Sequence, residues 1–187
     1  MKKHGFVWKC LSAARYLIIC AENYRHITFL PLGLIGRQPR IYLDNRHTSI
    51  KGKLKCFGYN EIHSTGQLRI GQNLSINHFS RIICLDEITI GDNVNIAEHV
   101  AILDHDHNYQ LVDNDFQLNG YITAPIKIGN NVWIADKCTV LKGVEIGNNV
   151  IIGANSVVTK SLPSNCIAVG APAKVIKKLT NQKDENR

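Results

Sequence analysis

At 187 residues, 44% hydrophobic and 20% charged, the chain can bury one sizeable core and is too apolar for a disordered segment. Its net charge of +7 suits nucleic acid, a membrane surface or a phosphorylated ligand. The basic residues cluster at the two ends, Lys2, Lys3, Lys9 and Arg15 at one and Lys174, Lys177, Lys178 and Lys183 at the other; the interleaved aromatics of a nucleic-acid surface are missing, so no nucleic-acid partner is expected.

Residues 1–40 read as a helical cap segment. The apolar stretch Tyr16–Ala21 follows Lys9 and Arg15 and falls short of the roughly 20 residues that span a bilayer. It also lacks a small-x-small cleavage site. An amphipathic helix packed on its own protein, or lying on a membrane surface, fits this pattern. Pro31, Gly33, Gly36 and Pro39 mark a linker after it.

The main domain is read as 41–176. From Ile70 an aliphatic residue returns every six positions, at Ile76, Ile82 and Ile88, then after a two-residue slip at Ile90, Ile96 and Ile102. Ile128, Ile134, Val140, Ile146, Ile152 and Val158 repeat the pattern, with Gly71, Gly91, Ala97, Gly129, Ala135, Gly147 and Gly153 following the aliphatic position. A period of six is neither the 3.6 of a helix nor the 2 of a strand. It predicts an all-β solenoid in which three short strands and three corners make a coil of about eighteen residues. Ile90 to Ile128 reads as two coils and about two residues, yet His105 to Ala124 loses the register and is rich in polar turn formers. That segment is expected to be a loop thrown out of the prism.

From Lys174 the sequence turns polar and helix-compatible, predicting a short C-terminal helix and a tail over 177–187 that frays from Asn181. The six cysteines, Cys10, Cys20, Cys56, Cys84, Cys138 and Cys166, form no C-x-x-C pair, so they read as reduced thiols, with Cys84 and Cys138 inside the core pattern.

Four phrases then carry a resemblance: Ile-Thr-Ile-Gly-Asp-Asn-Val at 88–94, Ile-Gly-Asn-Asn-Val-Trp-Ile at 128–134, Ser-Val-Val-Thr-Lys at 156–160 and Gly-Ala-Pro-Ala-Lys-Val-Ile-Lys-Lys at 170–178. In this order they resemble the hexapeptide-repeat acyltransferases, and among them the galactoside, maltose and xenobiotic acetyltransferase group. The resemblance implies a left-handed parallel β-helix, a homotrimer, and acetyl transfer from acetyl-coenzyme A to a saccharide hydroxyl, in surface polysaccharide synthesis for example. Transfer to the nitrogen of an amino sugar is the alternative. A cytoplasmic location is expected, with the basic N-terminal segment as a peripheral contact at the inner membrane face.

By the same resemblance the general base matches His107, with His105 competing, and Asn77 matches a residue holding the acyl or acceptor group. Asp104 is counted with the substrate-binding residues; it and Asp106 either orient an imidazole or solvate the turn. Coenzyme A is expected along Trp133, Ala135, Ala154 and Thr159, with Lys160, Lys174 and Lys177 meeting its phosphates. Two departures stand out. Asp136 replaces a small or hydroxylated residue, and lysines replace arginines near the end, which removes bidentate phosphate contacts. No metal is expected, although His78, His99, His105 and His107 raise the histidine-ligated γ-class carbonic anhydrases as a second reading of this fold, and a non-catalytic scaffold is a third.

Overall fold

The computed structural model describes residues 11, 13–15, 17–18, 34–37, 40–43 and 48–180. The described residues between 11 and 18 are helical. Most of the N-terminal cap segment and the tail from residue 181 lie outside the described residues.

The rest is a parallel β-helix with three faces. Seven parallel strands line the first face, six the second and five the third, giving about six turns. The solenoid begins at Leu34–Arg37, which pairs in parallel with Leu54–Gly58, so part of the segment read as a linker already belongs to the prism. The repeated aliphatics point inward. Ile62, Ile82, Ile102, Val140 and Val158 form one buried column down the second face, and equivalent columns descend the other two faces.

Coil length tapers. Ile62 pairs with Ile82 and Ile82 with Ile102, twenty residues each; Ile134 pairs with Ile152, eighteen; Ile152 pairs with Ala168, sixteen. The long coils carry two extra residues at the end of the second face, which lengthen its strands to 61–64 and 81–84 and add an inward position at Ser64, Cys84 and Asp104. The two-residue slip in the sequence arises here.

The Ile-Gly-x-Asn phrases build the corner between the third and first faces. A Cβ on Gly91 would stand 2.8 Å from the backbone C and O of Gly129, so the coils stack closer there than any side chain allows. One residue on, the Asn130 side-chain oxygen accepts the Asp92 amide at 2.7 Å, and Asn148 does the same for Asn130. Next comes an amide ladder, Asn73 to Asn93 to Asn131 to Asn149 to Asn165, each Nδ2 donating to the next Oδ1. All five asparagines are left-handed, φ 56 to 59°, a conformation asparagine tolerates better than bulkier residues. At the corner between the first and second faces, Tyr59, Phe79 and His99 take the same backbone and stack 5.2 and 5.1 Å apart.

Two expectations are corrected. The segment 105–124 is a β-hairpin, strands His105–Val112 and Asp115–Thr123 joined at Asp113 and Asn114, and both turn residues are left-handed, as a two-residue hairpin turn demands. Ile90 pairs directly with Ile128, so that interval is one coil carrying the hairpin rather than two coils. At the C-terminus, Lys174–Lys178 is an antiparallel strand on Cys166–Val169, not a helix. The unpaired backbone at the edge of the first face captures a segment whose centre, Val175-Ile176, favours extended structure, and this pairing overrides the polar local sequence.

Candidate active site

The hairpin leaves the prism where the second face meets the third. The strand Ala101–Leu103 alternates outward and inward around Ile102, so the inward alternation carries Asp104 into the core. It is the one fully buried carboxylate among the described residues. A buried carboxylate must be hydrogen-bonded, and Asp104 is: Oδ1 and Oδ2 accept the Leu85 amide at 2.9 and 3.0 Å, and Oδ2 accepts the Asp86 amide at 2.8 Å. Oδ1 also lies 3.2 Å from Nδ1 of His105. With Nδ1–H donating to that oxygen, Nε2 keeps its lone pair. Asp104 therefore has no atom turned to solvent.

His105 is mostly covered, its side chain 16% exposed, and Tyr121 meets it edge-on with centroids 5.3 Å apart. His107, one step further out on the same strand, is exposed and lies 4.8 Å from Tyr121. Between the two histidines Asp106 pairs with Lys142 of the next coil, tying the hairpin base to the prism. Tyr109, Leu111, Phe116, Leu118 and Ile122 are exposed along the hairpin.

The other expected residues fall into three groups. Trp133 is 51% exposed on the first face, in one lateral row with Ile151, Ile167 and Lys177, and Lys174 pairs across from Val169 on the same face. Asn77 and Ala135 lie at the corner leaving the first face, in one column with Ala97 and Gly153, each amide bonding to the next coil. Ala154 follows Gly153 there, exposed. Thr159 and Lys160 are exposed just beyond Val157–Val158, on the edge that carries His105. Within one chain, His105 and Asn77 thus occupy opposite edges of the second face, separated by a strand and its corners, on the order of 15–20 Å. Asp136, the departure noted above, accepts the Glu98 amide at 3.3 Å and so closes its corner as Asn130 does at another.

His78 and His99 sit at one edge and His105 and His107 at the other; among the described residues no three His, Cys, Asp or Glu side chains gather as a metal site. Cys56, Cys84, Cys138 and Cys166 are buried free thiols. Burial pushes Cys56 up to about 11, and burial together with the Asp104 charge pushes Cys84 up to about 12, which makes both inert at neutral pH. No described helix is long and apolar enough to cross a membrane.

Residues 125–160 match the family described as bacterial transferase hexapeptide (six repeats). The galactoside O-acetyltransferase of Escherichia coli K12 is 40% identical over 120 residues, 64% of this chain and 57% of that protein. WbbJ of the same organism, whose name assigns it to O-acetyl transfer in lipopolysaccharide biosynthesis, is 34% identical over 152 residues, covering 74% of this chain and 71% of its own length. The chain thus spans little more than half of the first relative and about seven tenths of the second. Among solved structures, a maltose O-acetyltransferase from Clostridium difficile 630 is 31% identical with a TM-score of 0.52, covering 80% of this chain and 70% of that one. The N-acyltransferase AntD of Bacillus cereus, bound to dTDP and 3-hydroxybutyryl-CoA, shares the fold at TM-score 0.70 and 20% identity, covering 84% and 86%. With its six-residue period realised as stacked coils and its sequence aligned along most of WbbJ, the chain belongs to the bacterial hexapeptide-repeat transferase family.

Proposed function

We propose that this protein transfers an acetyl group from acetyl-coenzyme A to a hydroxyl of a saccharide, with His105 as general base and Asp104 holding its ring. The observation that carries this reading is the Asp104–His105 pair at the hairpin base: a buried, doubly amide-bonded carboxylate 3.2 Å from Nδ1 leaves Nε2 as the proton acceptor. His107, the base expected from the sequence, has no such partner among its contacts. As the acceptor oxygen bonds to the thioester carbon, Nε2 takes its proton. The C–S bond then breaks, and the imidazolium returns the proton to the departing thiolate. Backbone amides of the coil wall supply the donors for the tetrahedral oxyanion.

The row Trp133–Ile151–Ile167–Lys177 supports the donor side. It offers an apolar track of about 14 Å along three strand spacings with a cation at its far end, suiting a pantetheine arm and a phosphate. Lys174 stands on the same face as that row; Thr159 and Lys160 lie on the edge that carries His105, and Asn77, Ala135 and Ala154 line the other edge. Because these groups lie on different edges of one chain, the site is complete only when a second copy brings its Asn77 edge against the first copy's His105 edge, as in a closed trimer with the apolar hairpin reaching across. The acceptor reading rests on the relatives' names, galactoside, lipopolysaccharide and maltose acetylation, and extends to surface polysaccharide synthesis at the inner membrane face.

Thiol release from acetyl-coenzyme A with maltose or methyl galactoside tests it. His105→Ala lowers acceptor-dependent release at least about a hundredfold while His107→Ala lowers it by no more than about tenfold; the reverse order moves the base to His107. A solution mass of three chains is expected, and a persistent monomer overturns the shared site.

A further inference from the structure

We propose that Tyr121 is a positioning residue of this site, locking the plane of the His105 imidazole in addition to its contact with Asp104; the inference rests on His105 being the base. A ring held at one atom, here Nδ1 at 3.2 Å from Asp104, can still swing about that contact and about its own side-chain torsions. Tyr121 arrives from the opposite hairpin strand and meets His105 at 88° with centroids 5.3 Å apart, the edge-to-face geometry aromatic pairs prefer. Its own position is fixed in turn. Tyr121 lies directly across the hairpin from His107, with the rings 4.8 Å apart and tilted by 36°. A continuous run therefore leads from His107 through Tyr121 and His105 to Asp104 and the amides of Leu85 and Asp86. It begins at the protein surface and ends at a fully buried anchor.

Core packing does not account for Tyr121, which is 56% exposed. Its neighbours account for it: an exposed ring held between two imidazoles, one of them anchored by a buried carboxylate. His107 then serves as the outer support of the tyrosine. Proton transfer depends steeply on the orientation of the accepting lone pair, so a device that fixes the ring plane acts on turnover rather than on binding.

The experiment compares wild type with Tyr121→Phe, Tyr121→Leu and Tyr121→Ala. It measures kcat and KM for acetyl-coenzyme A with maltose and methyl galactoside, alongside long-range proton–nitrogen NMR of the histidine rings, which needs no acceptor. Tyr121→Phe keeps the ring edge and is expected to stay within about twofold of wild type, with His105 in a single Nδ1–H tautomer. Leu and Ala are expected to lower kcat about five- to twentyfold at unchanged KM for acetyl-coenzyme A and to mix the His105 tautomers. Unchanged kcat and unchanged His105 nitrogen shifts in a folded Leu or Ala variant overturn the proposal. Full release by His105→Ala in the same series sinks the assignment of the base instead, so the two failures are told apart.

Discussion

Replacing Asp104 separates its structural from its chemical contribution. In Asp104→Ala the amides of Leu85 and Asp86 lose their acceptor inside the prism. At about 1–3 kcal/mol for each donor left unpaired, the loss over the two amides is about 2–6 kcal/mol, a fall in Tm of about 4–24 °C for a chain of this size. Asp104→Asn is more informative. Its side-chain oxygen still accepts from the two amides, so the expected loss is about 1–2 kcal/mol from weaker, uncharged hydrogen bonds. Its Nδ2, however, turns a donor toward His105 Nδ1, which must then accept. The ring proton moves to Nε2, and the nitrogen facing the acceptor can no longer take a proton. Turnover is expected to fall at least about a hundredfold. Thermal unfolding at one fixed protein concentration and thiol release from acetyl-coenzyme A read the two effects separately. An Asp104→Asn protein with reduced Tm and kcat within about threefold of wild type would refute the argument that this carboxylate sets the tautomer of the base.

Gly91→Ala drives a Cβ to 2.8 Å from the Gly129 backbone and 2.4 Å from Asn130 Oδ1, so two coils must part at a corner; a loss of about 2–4 kcal/mol is expected by urea unfolding. Gly120→Ala in the hairpin meets nothing within 4 Å but sits at φ +72°, and should cost only about 1–2 kcal/mol of backbone strain. Equal losses in the two variants would contradict the close-approach account. For the thiols, a variant with Cys10 and Cys20 replaced should take up no aromatic disulfide reagent at pH 8 until it is unfolded. Unfolded thiols ionise near 9.0, whereas Cys56 and Cys84 stay neutral to about 11 and about 12. Their contribution to stability is therefore complete below pH 9 and lost as pH climbs from 9 toward 12; replacing both with alanine should flatten that part of the pH–stability curve.

The solenoid was legible because its signal is repeated at every coil, and each Ile-Gly-x-Asn phrase is a complete corner whose contacts the next phrase supplies. The hairpin was read only as lost register. Its own signal, Asp113-Asn114 between Leu111-Val112 and Phe116, is short, and the polar residues of an exposed two-stranded arm look like those of a loop. The C-terminal strand was misread because what decides it is the open edge of the first face, a partner distant from residues 174–178 until the chain has folded. Choosing between His105 and His107 is a different matter. Spacing presents both equally, and the discriminator behind the reading proposed above is the burial of Asp104. That burial was open to inference: Ser64, Cys84 and Asp104 each stand two residues after an inward isoleucine, and alternation along an extended strand sends all three into the core.

The stacked corners also turn the protein into a scale with fixed graduations. The register that sets Ile102 over Val140 and Val140 over Val158 advances along each face in steps of one strand spacing of about 4.8 Å. Groups fixed to one edge can therefore be moved apart or together only by inserting or deleting a whole coil, never by a fraction of one. Finer adjustment falls to whatever hangs off the lattice, and His105 and His107 are both carried by the hairpin. A substrate slightly longer or wider than the present one is thus accommodated by retuning the arm while every rung of the prism stays where it is.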